Sequence, residues 1–168
     1  MRIVSMLQGA ASVLLWPGLV WAGPPIACHE FVTTPGSLFE SLEPLRSVAM
    51  VADDSPADKE AARQRLRELR AAIEPGNPVS LLKAAYWAEV LRAVGVDRQA
   101  DGTALILKAL ELRPNDPEYH FIAALAFLPR DQATFQKHWD RARALAIPGS
   151  AVARNLQVFG DLLLGAKD

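Results

Sequence analysis

Apolar residues recur at helical spacing in seven stretches of this chain, and proline, glycine or a capping side chain bounds nearly every stretch. From Ser37 the positions Leu38, Phe39, Leu42, Leu45 and Ala49 share one side of a helix over 37–51, where Pro44 lacks a backbone donor and predicts a kink. Ser55-Pro56, with Asp58 three residues on, has the form of a capped start, and Ala62, Leu66, Leu69 and Ile73 carry that helix to about residue 73. Glu74 to Pro78 makes a corner, and Leu81, Leu82, Ala84, Ala85, Tyr86, Ala88, Val90 and Leu91 follow it before Gly95. Thr103 to Arg113 is a compact helix with Ala104, Leu107 and Leu110 on one side. Pro114 to Pro117 turns the chain again, and the helix from Glu118 to Leu128 is almost wholly apolar after His120, which predicts burial around most of its circumference. Asp131 caps a helix whose inner face is Phe135, Trp139, Ala142, Leu145 and Ala146, and Pro148-Gly149 ends it. A last helix over 151–164 repeats Val152, Leu156, Phe159 and Leu163. No segment alternates apolar and polar residues as a half-buried strand does, so the expected fold class is all-α.

Pro75, Pro114 and Pro148 each close one helix and open another, at spacings of 39 and 34 residues. Small residues stand at matching places after two of the corners, as Ala84-Ala85 and Ala123-Ala124, and Gly102, Ile106, Ala109 and Pro114 give a small, bulky, small and proline series. On these residues the stretch 37–164 resembles a degenerate tetratricopeptide array, an α-solenoid of about three antiparallel helix pairs with a terminal helix. The departures are Leu81 and His120 where that family prefers tryptophan, Ala88 and Phe127 at its tyrosine position, and a one-residue shift in the units ending at Pro75 and Pro148. An irregular seven-helix bundle is the competing architecture. The resemblance implies a concave surface that binds peptides or protein segments. Its groove positions fall on Leu82, Lys83, Tyr86 and Glu89 of one helix and Glu118, Phe121, Ile122 and Leu125 of the next, a largely apolar set suited to an apolar segment or a partner helix. The competing reading has Phe121, Ile122 and Leu125 covered by neighbouring helices.

Composition narrows the compartment and the partners. The 168 residues are 51% hydrophobic and 22% charged with a formal net charge of −1, which describes an ordinary globular domain and excludes a basic nucleic-acid footprint. Residues 3 to 22 carry no charge after Arg2, and Val20-Trp21-Ala22 places small residues at signal-peptidase spacing, so 1–22 reads as a signal peptide cleaved after Ala22. The alternatives are an uncleaved anchor and lipidation at Cys28, the latter disfavoured by Pro25-Ile26-Ala27 ahead of it. A periplasmic or secreted location follows, with residues 23–36 an extended arm and 37–168 the helical domain. Cys28 is the single cysteine, which leaves no internal disulfide.

Catalytic chemistry is sparse. Cys28-His29-Glu30 does not preset a nucleophile and base, because neighbours on extended chain point to opposite faces. His120 and His138 flank the turn at 129–131 at distances that bring the imidazoles together across a helical hairpin, and with Glu118 or Asp140 they form a conceivable zinc site; a structural role is the favoured reading. Arg63, Arg67 and Arg70 form a stripe interspersed with Asp58, Glu60 and Glu68, a mixed face of the solvated kind. Phosphate loops and nucleophile elbows are absent from the sequence. The expectation is therefore a non-enzyme without cofactor: an exported adaptor or scaffold that holds a segment of another envelope protein. The alternatives are a small metal-dependent enzyme built on His120 and His138, and a protein that self-associates through the helix over 151–164.

Overall fold

The computed structural model describes residue 26, residues 29–51 and residues 55–164; the expected leader over 1–22 and Cys28 lie outside them. Among the described residues the chain forms seven helices and no strand, so the protein is all-α. The helices are α1 Leu38–Val51, α2 Pro56–Ala71, α3 Pro78–Ala93, α4 Thr103–Leu112, α5 Pro117–Phe127, α6 Gln132–Leu145 and α7 Ala151–Leu164. Their starts have a local cause. Ser55, Asn77, Asp116 and Asp131 stand at the N-caps in extended conformation and accept free N–H groups of the first turn, and proline opens α2, α3 and α5, where its missing donor removes no helical bond.

From α2 onward each helix packs on the next in the chain, and α1 packs on α3. α5 packs most extensively on α6 and α3 on α4, while α2–α3, α4–α5 and α6–α7 contacts join these hairpins to their neighbours. Beyond that, α1 touches α3, α3 touches α5 and α5 touches α7, so the odd-numbered helices form a connected layer of their own. α3 and α5 are central, which is why eight consecutive residues from Tyr119 to Ala126 and nearly all of α3 from Leu81 to Leu91 are buried. Trp87, fully buried, donates its indole N–H to the Ala62 carbonyl at 2.9 Å and so ties α3 to α2 without leaving the ring nitrogen unpaired.

The small residues singled out in the sequence lie where two backbones meet. A Cβ on Gly102 would come within 2.2 Å of the Ala85 carbonyl oxygen, and Ala85 itself is wholly buried. Gly102 has φ −104°, which any residue adopts, so the requirement for glycine here is steric and not conformational. Gly102→Ala is expected to push α4 away from α3 and to cost about 1–3 kcal/mol, the usual range for overpacking a site that can yield only by moving backbone. Urea unfolding measures it; a midpoint unchanged from the unsubstituted chain would mean that the α3–α4 contact is not as close as described.

The arginine stripe is less free than a solvated face. Arg63 donates to the Val96 carbonyl at 2.8 Å and Arg70 to the Asp101 carbonyl at 3.3 Å, which fastens α2 to both ends of the loop between α3 and α4. Arg67 stays on its own helix, paired with Glu60 at 2.6 Å.

Candidate functional site

The odd-numbered helices enclose a socket of aromatic rings, and the chain's own arm fills it. Phe31 lies 5.2 Å from Phe39 of α1, 5.8 Å from Tyr86 of α3, 6.3 Å from Phe121 of α5 and 5.8 Å from Phe159 of α7, measured between ring centroids. Each of the four helices thus supplies one ring. Phe121 and Phe159 meet edge to face at 5.3 Å, as do Phe121 and Phe39 at 5.6 Å, the geometry that sets a positive ring edge against a negative face. All four socket rings are completely buried beneath Phe31.

The arm is non-helical from His29 to Ser37, and its backbone groups find partners in side chains of the helical domain. Asn155 of α7, wholly buried, accepts the Val32 N–H at 2.7 Å through Oδ1 and donates through Nδ2 to the Val32 carbonyl at 2.9 Å. One carboxamide therefore satisfies both main-chain groups of a single residue. Glu43 accepts the Phe31 N–H at 3.3 Å, and the Tyr86 hydroxyl donates to the Ile26 carbonyl at 3.0 Å. Where the arm enters α1, Glu118 accepts the Leu38 N–H at 2.7 Å. Burial raises the Glu118 carboxyl above its ordinary pKa, with that N–H acting in the opposite direction. The residues that grip the arm come from α1, α3, α5 and α7.

Eight residues were expected to line an open groove, and the structure corrects this. Leu82, Tyr86, Glu89, Phe121, Ile122 and Leu125 are buried, and only Lys83 and Glu118 are partly exposed. The reason is that α3 and α5 are flanked on both sides by other helices, and the inner side of Tyr86 and Phe121 is covered by the arm. Tyr86 and Phe121 do meet at the socket, around Phe31, while Glu118 holds the start of α1. Glu89 serves a different purpose: Oε1 accepts the Gly102 N–H at 2.8 Å and pairs with Arg130 at 3.0 Å, while Oε2 pairs with Arg92 at 3.2 Å. That buried carboxylate joins α3 to the start of α4 and to the corner between α5 and α6. Sequence reasoning missed Phe31, Phe39, Glu43, Asn155 and Phe159 as one site, because they lie far apart along the chain and no local pattern joins them.

His120 and His138 do approach, with Nδ1 to Nδ1 at 2.9 Å, rings stacked and Phe127 stacked on His138. The tautomers follow from the acceptor beyond them. His120 Nε2 lies 3.0 Å from the Pro114 carbonyl, which only accepts, so Nε2 carries the proton and His120 Nδ1 offers a lone pair to the N–H on Nδ1 of His138. Zinc sites use three or four protein ligands, and among the described residues no group of three histidine, cysteine, aspartate or glutamate side chains converges here or elsewhere. The pair therefore acts as a buried polar link between α5 and α6.

Burial, followed by the neighbouring His120 and Lys137, lowers the His138 pKa to about 4. The unfolded chain takes up that proton near pH 6.5 and the folded chain does not, so stability is complete above about pH 6.5 and falls as pH drops toward 4. The expected loss is on the order of 2 kcal/mol, reduced by the solvent that reaches the outer edge of the ring. Glu118, whose carboxyl is raised, works in the opposite sense over the lower part of that window. Urea midpoints at pH 7.5 and pH 5 should differ in the unsubstituted chain and converge in His138→Gln; an unaltered difference in the variant would acquit His138.

A cleft of about 490 Å³ lies between the Pro114 to Pro117 corner and Ile147, Ser150 and Val152, and neither histidine opens into it. On α7, Val158 and Leu162 are exposed, at 41% and 45%. No described helix is long and apolar enough to cross a membrane. Comparison with known protein families, with curated proteins and with solved structures gives no match for this chain.

Proposed function

We propose that this protein is an exported adaptor, a short tetratricopeptide-like solenoid that holds an extended segment of another envelope protein against its odd-numbered helices. Two packed helix pairs, α3–α4 and α5–α6, support the reading, as does the layer that α1, α3, α5 and α7 form through contacts two helices apart, with α2 set against α3 and α7 closing the end. In an array of that type the first helices of the pairs line the concave side. The observation that carries the reading is the arm itself: this layer accepts extended chain by bonding main-chain groups through Asn155 and Glu43 and by seating one aromatic side chain. Recognition of a backbone, with one pocket for a side chain, is how extended peptides are bound with affinity and limited sequence demand. The reading assigns the protein no catalytic step.

The test is affinity capture from envelope extract on the mature chain, beside Asn155→Ala and, as a control on the far hairpin, His138→Gln, each first shown to be helical by circular dichroism. A partner held by the unsubstituted chain and by His138→Gln but lost by Asn155→Ala is the expected result. A partner indifferent to Asn155 would move binding elsewhere and overturn the proposal.

A further inference from the structure

The arm over residues 29–36 is joined to the helical domain by a turn, and the described contacts that hold it include Glu43, Asn155, the rings around Phe31 and His29 set edge-on to Phe159 at 5.9 Å. The turn at Thr34 to Ser37 is closed by the Ser37 N–H on the Thr34 carbonyl at 2.9 Å, with Gly36 at φ +78°, a left-handed conformation that glycine adopts without strain. Ahead of the turn, one side chain of the arm proper is buried, Phe31, while Glu30, Thr33, Pro35 and Gly36 are exposed and Val32 is bound through its main chain. Asn155 is a buried amide whose donor and acceptor are both taken by the main-chain groups of one arm residue, Val32, and that grip requires a main-chain N–H and carbonyl but no particular side chain. Four rings, wholly buried under Phe31, form an apolar receptacle already shaped for an aromatic side chain.

We infer that the arm is an intramolecular ligand that closes the socket, and that the partner is an extended segment of another protein which displaces it by presenting an aromatic residue in place of Phe31. This rests on the adaptor reading above and specifies its ligand. The residue after the aromatic one must not be proline, because Asn155 Oδ1 takes its N–H. Glu43 accepts the main-chain N–H of the aromatic residue itself. A tethered arm competes at an effective concentration on the order of millimolar, so an outside segment binds more weakly to the closed chain than to one whose arm has been unhooked.

The experiment uses the full mature chain and a fluorescent peptide of the arm's own sequence from His29 to Gly36. Phe31→Ser in the chain unhooks the arm; anisotropy is then expected to show peptide binding about tenfold tighter than to the unsubstituted chain, lost again in Phe31→Ser combined with Asn155→Ala, and lost when the peptide itself carries Phe31→Ser. A Phe31→Ser chain that is helical and melts cooperatively yet binds no peptide overturns the inference. Should that variant fail to fold, a protease site inserted at Pro35-Gly36 of the unsubstituted chain replaces it. Release of the cut arm with the helices intact, and its competition by added peptide, supports the inference; unfolding on release, or an arm that excess peptide never displaces, makes the arm a fixed part of the core and ends it. Dimers in which each copy's arm occupies its partner's socket, detected by native mass spectrometry, would assign the socket to a second copy and also end it. Capture of an envelope partner that needs Asn155 but is unaffected by Phe31→Ser would sink this inference alone and leave the adaptor reading standing.

Discussion

Phe121→Ala is expected to remove about 3–5 kcal/mol of stability, the range for emptying a wholly buried aromatic site. Phe121 touches Phe31, Phe39, Trp139 and Phe159, so its ring is shared by the arm, α1, α6 and α7, and no single helix can move in to fill the space without leaving another contact. Three of those contacts, to Phe31, Phe39 and Phe159, are edge to face, and pairs of that kind are worth about 0.5–1.5 kcal/mol beyond the area they bury. For a domain of this size each kcal/mol moves the melting temperature by about 2–4 °C, so the variant should melt roughly 6–20 °C lower. Phe121→Leu should recover part of the loss by refilling volume without the ring geometry. Hydrogen exchange adds a local readout: the Val32 amide should lose protection in Phe121→Ala by more than amides of α2, which does not border the socket. A loss of under about 1 kcal/mol would show that the socket collapses freely, and would separate it from the core.

The helices were legible because their punctuation is local. Asn77-Pro78, Asp116-Pro117 and Ser55-Pro56 each combine a side-chain cap with a proline that needs no donor, and the structure starts α3, α5 and α2 at those prolines. The meeting of His120 with His138 was legible for the same reason, since counting outward from a tight corner fixes which residues lie side by side on a hairpin. Gly102 was legible as a small residue, and its contact with Ala85 shows what the smallness is for. The arm was not legible. Residues 23–36 have no period, and the partners that order the described part lie as far as 123 residues away, where Asn155 sits in α7 as an unremarkable polar position between apolar ones. Burial on α3 was also under-read. Projecting one face of a helix outward assumes that only the other is covered, whereas α3 has α1, α2, α4 and α5 around it, and Leu82, Tyr86 and Glu89 are all inside.

Glu89 is the residue for which that misreading has the largest energetic consequence. A carboxylate 1% exposed is stable only while its oxygens are bonded, and here a main-chain N–H and two guanidinium groups bond them. Glu89→Ala leaves the Gly102 N–H buried without its acceptor and takes the counter-charge from Arg92 and Arg130, whose side chains are about a quarter exposed at 24% and 23%. Breaking a fully buried pair from one side costs about 3–5 kcal/mol, and because both arginines can turn toward water the lower end, about 3 kcal/mol, is expected. Glu89→Gln separates the two contributions: its carbonyl oxygen still accepts the Gly102 N–H, so it should lose about half as much, the remainder being the charge. Arg130→Met probes the same cluster from the other side and should cost less than either, since the Asp101 carboxylate it also faces, 62% exposed, is readily solvated. The sequence reading put Glu89 at an exposed groove, where alanine would change stability by only a few tenths of a kcal/mol and abolish a contact to a partner. Urea unfolding therefore discriminates sharply: a midpoint shift of about 1–3 M assigns Glu89 to the joint between α3, α4 and the α5–α6 corner, and an unchanged midpoint returns it to the surface.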